Sequence, residues 1–482
     1  MRIGGREMAY PDWVEKYKLK GTNISCIRGK YYLYAVSSVW NKEKGRAQKV
    51  TGKYLGRITE TDGLIHPKEK EENIPKVTLK EYGASTVLAE TGSDIYTALK
   101  EIFPNEADRI FTLAILRVIE KCPFKRAEMI YEKSYLSEMY GGVKLRGKDI
   151  TGFLMSLGEN REKLVSFMNR FTSGSEHILF DVTNIISKSH DMEINRLGYN
   201  SHRQYDPQVN LLYAFACENR MPVYYRVLPG NIREISALRL SVEEAQLKNV
   251  IIVADKGFGS KANFDMLEEN KMQYIIPLRR NNALFDRSVL QTGNRSAFDN
   301  YFMYNNRVIW YYQNDDDGIK IITFSDSELK NREEKDYICR IESKFEGYTR
   351  DGLMEKQYDF GSIVIRTNIN KSPEDIFAVY KSRGEIEQCF DFLKNLLDQD
   401  RSYMQNEYSF EAWTFLNHIA LMLSYKLYDL LRSAGLLSKF SVDDFICHLK
   451  YIHKVKVNSC WLTSEISAKT LKLLTSLKVP IT

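Results

Sequence analysis

His177-Ile-Leu-Phe-Asp-Val-Thr-Asn-Ile-Ile186 (HILFDVTNII) is an apolar, β-branched run with one acid, Asp181, set inside it. Such a run reads as a strand. A carboxylate within a strand of this kind is costly to bury unless it has a partner or a task. The pattern recurs at residues 249–255, NVIIVAD, where a continuous apolar run closes on Asp255. A strand apolar at every position is expected in a sheet covered on both faces.

Between and around these two runs the texture is that of an α/β sheet. NLLYAFACE and PVYYRVLPG, separated by NRM, read as a hairpin. REISALRLSVEEAQ and SKANFDMLEEN read as helices, and QYIIPL as a further strand. The order strand, strand, strand, helix, strand, helix, strand predicts a mixed sheet flanked by helices. Residues 279–361 interrupt it with a hairpin, VIWYYQ–NDDDG–IKIITFSD, and more strand-like segments, and are read as a β-rich insertion. FGSIVIRTN resumes the sheet. A helix follows from Ser372, a capping residue, through Pro373 at its first position, with Glu374 and Asp375 at the positive end of its dipole.

Two carboxylates converging at strand ends, where α/β sheets bind ligands, repel unless a cation lies between them. Mg²⁺ prefers carboxylate and water oxygens and is the natural occupant. Taken singly, each Asp equally fits a turn cap. A third carboxylate comes from helix geometry. Over residues 372–397, Val379, Ile386, Phe390, Leu393 and Leu397 fall on one side and are expected to be buried. Tyr380, Arg383, Glu387 and Lys394 return to one stripe, roughly 40–100° from the centre of that face. Glu387 is therefore expected at the edge of the core. Glu385 points away and should be solvated, and Asp391 is the nearest rival. The same spacing also fits an ordinary amphipathic helix with Glu387 paired to Arg383 or Lys394.

The spacing Tyr380, two residues, Arg383, three residues, Glu387, six residues, Lys394 resembles the Tyr-Arg-Glu-Lys motif of bacterial insertion-sequence transposases with a DDE active site. DVTNI and VIIVADKGFGS resemble the blocks around that family's first and second Asp. Gly198, Ser201, Gln208, Pro222, Gly230 and Asn231 match its intervening segment, although the stretch from Gly198 to Gln208 is a residue shorter than the usual pattern. The resemblance runs from Asp181 to Leu423. It implies an RNase H-like fold with the glutamate on a helix after the β-rich insertion. It implies Asp181, Asp255 and Glu387 as catalytic metal ligands, holding two Mg²⁺ ions for which Mn²⁺ substitutes. It also implies Tyr380, Arg383 and Lys394 on DNA phosphates. Hairpin-forming relatives imply a flipped base on an aromatic ring, and Trp310 in the insertion is the candidate, although a lone Trp in VIWYY more often packs in a strand.

The rest of the sequence is in keeping. A chain of 482 residues predicts several domains. The expected divisions are a β-rich segment 1–65, a charged Pro-containing linker in 66–76, a helical region 77–172, an RNase H-like domain from 173–278 and 362–432, the insertion 279–361, and a helical tail 433–482. Lys and Arg recur in the helical region at Arg117, Lys121, Lys125, Arg126, Lys144, Arg146 and Lys148, which fits either a solvated face or DNA-end binding. The formal charge of +6 permits a polyanionic partner without requiring one. Seven scattered cysteines with no CxxC pair argue against a zinc module or disulfide framework and fit a reducing cytoplasm. The start, MRIGGREMAYPDW, has no signal-peptide apolar core. Phe410 to Leu431 is broken by Asn417, His418, Lys426 and Asp429, and is read as a buried helix, not a membrane span.

The expected partners are double-stranded DNA, both element ends and target, and a second copy of the chain on that DNA, with no membrane and no small-molecule cofactor. The expected activity is metal-dependent DNA cleavage and strand transfer in the cytoplasm of a bacterium, at the nucleoid. The alternatives are a metal-dependent nuclease that does not join, an inactive transposase-derived DNA-binding protein, and an unrelated enzyme using Asp255 and Glu387 as an acid–base pair. The last lacks any P-loop or paired-glycine fingerprint.

Overall fold

The computed structural model describes all residues except 1–8, 42–44, 68–76, 122, 173, 200–204, 233, 246, 248–249, 317, 458 and 482. The start of MRIGGREMAYPDW, most of the NKEKG turn and of the 66–76 linker, Cys122 and Ser201 lie outside the described residues. The chain divides into two compact units, Met1–Lys76 and Val77–Thr482. The first is a four-stranded antiparallel sheet around Val14, Ile24, Leu33 and Ile58. Its longest strands, Lys30–Asn41 and Arg46–Thr59, pair as the YYLYAVSSVW and QKVTGKYLGRI runs predict.

The second unit is built on a mixed sheet. Its central strands are β1 (His177–Ser187), β2 (Tyr205–Ala216), β3 (Met221–Pro229), β4 (Ile251–Ala254) and β5 (Gln273–Leu278). β1, β2 and β3 are antiparallel neighbours, while β4 runs parallel to β1 and β5 parallel to β4. The spatial order β3-β2-β1-β4-β5 is the RNase H-like arrangement expected above. All four residues of β4 are buried, which is why that segment reads as apolar throughout.

The insertion extends this sheet. β6 (Asn300–Tyr304), β7 (Arg307–Asp316) and β8 (Ile319–Asp326) form a meander that joins β5 through β9 (Ser362–Thr367). The described sheet therefore has 11 strands. Two expectations need correction here. The segments after β8 are helices, Ser327–Glu342 and Arg350–Lys356, the first capped by Asp326 accepting from the Glu328 and Leu329 amides. The C-terminal tail also carries a hairpin, His453–Val457 and Cys460–Thr463, which pairs with Thr78–Glu81.

Helices cover both faces. α1 (Ala107–Glu120) packs on α5 (Glu407–Ser433), the helix read from Phe410 to Leu431. α5 is buried along most of its length, and no helix among the described residues is long and apolar enough to cross a membrane. Arg117, one of the basic residues considered for DNA, is in fact 5% exposed and donates to Asn417 Oδ1 at 2.9 Å. Lys121 pairs with Asp443 at 3.0 Å. Arg161 ties the helical region to the sheet by donating to the Tyr225 carbonyl of β3 at 2.8 Å, and it also pairs with Glu411 at 2.7 Å and Glu244 at 2.8 Å. Lys125, Arg126, Lys144, Arg146 and Lys148 remain exposed.

The expected single helix over 372–397 is three pieces. α3 (Pro373–Lys381) begins as predicted, with Ser372 Oγ accepting from the Asp375 amide at 3.1 Å. It ends where Ser382 Oγ donates back to the Val379 carbonyl at 2.6 Å. α4 (Gly384–Asp391) then starts with short-range bonds, Ile386 N to Arg383 O at 3.1 Å, and runs into a π-turn, Phe392–Leu396. The helical stripe thus breaks twice between Tyr380 and Lys394.

Candidate active site

Parallel pairing sets the first two acids side by side. Ala254 is level with Phe180, so the next residue on each strand brings Asp255 beside Asp181. Asp181 is half-buried over a fully buried Tyr213, its partner on β2. One Asp181 oxygen accepts from the Val182 amide at 2.8 Å.

The cation required between two such carboxylates is supplied by the chain. The break between α3 and α4 places Arg383 at the N-terminal cap of α4. Its Nη2 donates to Asp181 Oδ2 at 3.3 Å, and its Nη1 lies 3.1 Å from Asp255 Oδ1. Burial nonetheless pushes the Asp181 carboxyl up to about 6, with the Arg383 guanidinium and Val182 amide opposing and Asp255 adding to the rise. Arg383 Nε is buried without a hydrogen-bond partner. The guanidinium therefore bridges the pair without satisfying all its own donors. Two hard oxygen donors around a position held by a guanidinium fit a divalent ion of the Mg²⁺ type.

Glu387 is one helical turn beyond Arg383, on α4, and is exposed. The structure brings Asp181 and Asp255 together but does not close Glu387 onto them: the three sets of carboxylate oxygens do not all lie within 4.8 Å of one another. Neighbouring acids differ from expectation too. Glu385 is half-buried, not solvated, because Arg432 of α5 holds it at 2.7 Å and its carbonyl accepts from Tyr425. Asp391 is exposed and tied to Asn395 Nδ2 at 2.7 Å. On the predicted buried face, Ile386, Leu393 and Leu397 are buried, whereas Val379 and Phe390 are half-buried.

Tyr380 is half-buried with its ring centroid 6.0 Å from the Arg383 guanidinium carbon, and burial raises its hydroxyl above the usual range. Lys394 lies in the π-turn, where burial lowers its amine and Asp400 opposes. Trp310 is in β7, away from the Asp pair in the fold. Its ring meets Tyr301 at 5.0 Å and Phe298 at 5.8 Å, and Arg295 lies 5.1 Å over it.

The described residues contain one group of three His, Cys, Asp or Glu side chains with ligand atoms within 4.8 Å: Glu176, His177 and Glu218. It lies at the start of β1, about 13 Å along the strand from Asp181. Lys371 already occupies it, 2.6 Å from Glu176.

The intervening motif has a packing explanation. A Cβ on Gly198 would stand 2.3 Å from Gln208 Nε2, and one on Gly230 would stand 2.0 Å from the Gln208 carbonyl. Gln208 Nε2 donates to Gly230 O and Asn210 Oδ1, both at 3.2 Å, so glycine, glutamine and glycine form one interlocked node at the edge of β2.

Sequence reasoning missed the surrounding cations. A cleft of about 850 Å³, lined in part by Val182, Gln208, Asn231, Lys256 and Arg279, opens on one side of the Asp pair. A second, of about 590 Å³, includes Lys256, Arg279, Arg280, Tyr380 and Lys381. Only the position of Lys256, directly after Asp255, could have been read as a signal.

Residues 172–423 match the family described as "Transposase DDE domain". The solved structure titled "Cryo-EM structure of piggyBac transposase synaptic complex with hairpin DNA (SNHP)" is 10% identical, with 77% of this chain and 79% of that chain covered and a TM-score of 0.40. No curated protein matches the chain.

Proposed function

Because this chain belongs to the family of transposases with a DDE domain, we propose that it binds the ends of an insertion sequence and catalyses metal-dependent cleavage and strand transfer of DNA. The observation that carries this is the Asp181–Asp255 pair, level on parallel strands and bridged by one guanidinium. A carboxylate pair so placed requires a cation, and a DNA-processing site has two candidates for the exchange: a metal for the carboxylates and a phosphate for Arg383.

In this reading Asp181, Asp255 and Glu387 are the ligands of two Mg²⁺ ions, with Mn²⁺ as substitute. Bound there, the ions supply activation of a water or DNA 3′-hydroxyl and stabilise the leaving oxygen of an in-line displacement. Asp181 and Asp255 supply fixed oxygen donors from the rigid sheet. Glu387 swings in from α4 as Arg383 leaves. Arg383, with Tyr380 and Lys394, then holds backbone phosphate and orients the strand. Trp310 is proposed as a stacking surface for an unpaired base, and two copies of the chain act on the paired ends. The exposed Lys125, Arg126, Lys144 and Lys148 belong to the end-binding surface.

The test uses purified protein and Glu387→Gln with DNA spanning the gene's own flanks, in Mg²⁺ and in EDTA. Metal-dependent nicks at two fixed positions, absent in the variant, and joined products are expected. Nicks without joining would reduce the activity to a nuclease. Specific binding without cutting in any metal would leave a regulatory descendant. Equal cutting by both proteins would remove Glu387 from the site, and Asp391 would be tested next.

A further inference from the structure

The two clefts beside the Asp pair share a wall made by Lys256 and Arg279. Both are exposed, and among the described residues neither has a carboxylate within salt-bridge distance. Their basic neighbours are different. Arg280 is held by Glu333 at 2.9 Å, Arg287 by Asp359 at 2.7 Å, and Arg307 by Asp326 at 2.6 Å. Those cations are structural, whereas Lys256 and Arg279 are left for something else. Lys381, on the far side of the smaller cleft, is half-buried. Burial first, then the nearby Arg307 guanidinium, lowers its amine below the usual range, with Asp326 opposing and Arg332 adding to the fall. An anion beside it would relieve that. The larger cleft offers the exposed amide side chain of Asn231, which suits a base edge.

Cavities of this size take a small molecule, hence one or two nucleotides each and not a duplex. We propose that a single DNA strand crosses from the larger cleft to the smaller over Lys256 and Arg279, its phosphates seated on those two cations and on Lys381 as it passes the Asp pair. This rests on the transposase reading. It adds three positioning residues outside the family motif and assigns the contact to one unpaired strand. A positively charged groove that follows a backbone is how single strands are held without regard to sequence.

The experiment measures binding in EDTA, so that cleavage plays no part. The probes are a fluorescein-labelled duplex with a single-stranded 3′ extension of mixed sequence and the same duplex blunt-ended, titrated over a range of KCl. Wild type is expected to prefer the extended probe. Lys256→Ala with Arg279→Ala should abolish that preference and reduce the salt slope by about 0.7 per lost contact. Lys381→Gln should reduce it by one further contact. Matching thermal melts would establish that the variants fold. A double variant with the wild-type slope and preference overturns the strand path while leaving the metal-dependent cleavage reading intact. Wild type that binds neither probe overturns both.

Discussion

Arg383 reaches Asp255 across 3.1 Å, and the same guanidinium reaches Asp181 at 3.3 Å. The position where a metal would bind between these acids is therefore contested by a side chain of the protein. Arg383→Gln should bind Mn²⁺ more tightly in the absence of DNA, by about tenfold if the lost competition is near 1.4 kcal/mol. It should also melt at lower temperature in EDTA, because two carboxylates then face each other unshielded. Electron paramagnetic resonance titration of free Mn²⁺ measures the first effect and calorimetry the second. Unchanged or weaker Mn²⁺ binding would mean that Arg383 is a structural clamp.

The glycine node at the edge of β2 predicts a different failure. In Gly230→Ala the new Cβ meets the backbone carbonyls of Gln208 and Arg196 at 2.0 and 2.6 Å, neither of which can rotate away. Destabilisation of roughly 1–3 kcal/mol is expected from overpacking. Urea unfolding of the variant checks it, and a wild-type midpoint would mean the node relaxes freely.

His418 sets an acid limit. It is fully buried against the Tyr213 and Tyr225 rings, and neither ring nitrogen has a hydrogen-bond partner. Burial first, then Arg161, lowers its pKa from 6.5 to about 3. The unfolded chain takes up a proton near 6.5 and the folded protein does not until far lower pH. Its contribution to stability is therefore present above 6.5 and lost as pH falls. His418→Phe should gain melting temperature over wild type at about pH 5 relative to about pH 7.5. Parallel melting curves at the two values would show that something else governs acid sensitivity.

Trp310 stands among Phe298, Tyr301 and Arg295, so a base stacking there must insert into a cluster already formed. If it does so, Trp310→Ala should weaken binding of a duplex with one unpaired base by about 1–3 kcal/mol and spare the fully paired duplex. Equal effects on both probes would assign the residue to strand packing alone.

The sheet was legible because its signal is local. HILFDVTNII and NVIIVAD are strands by composition, and each carries an acid, Asp181 within the first and Asp255 closing the second. The hairpin of β2 and β3 and the cap at Ser372 were legible for the same reason. Spacing over residues 372–397 predicts one continuous helix because it assumes unbroken geometry. Ser382 bonding back to Val379 and the π-turn at Phe392–Leu396 change the phase twice, and neither leaves a periodic trace. Spacing points Glu385 outward because its partner, Arg432, lies 47 residues away on another element. The bridging role of Arg383, the burial of Arg117 against Asn417 and the shared wall of Lys256 and Arg279 are tertiary facts, set by residues far apart in the chain.

That long-range construction has a consequence for timing. Arg117 is closed by Asn417, 300 residues further on, and Thr78–Glu81 is completed by His453–Val457, so these segments wait for partners made much later. Chains dominated by such pairings fold slowly. At ordinary synthesis rates the interval between translating Asp255 and α5 is on the order of ten seconds. For most of it Asp181 and Asp255 exist without Arg383, the guanidinium that bridges them in the folded protein. Stalled chains ending before residue 407 should be protease-sensitive throughout the helical region, whereas chains extended past 457 should resist.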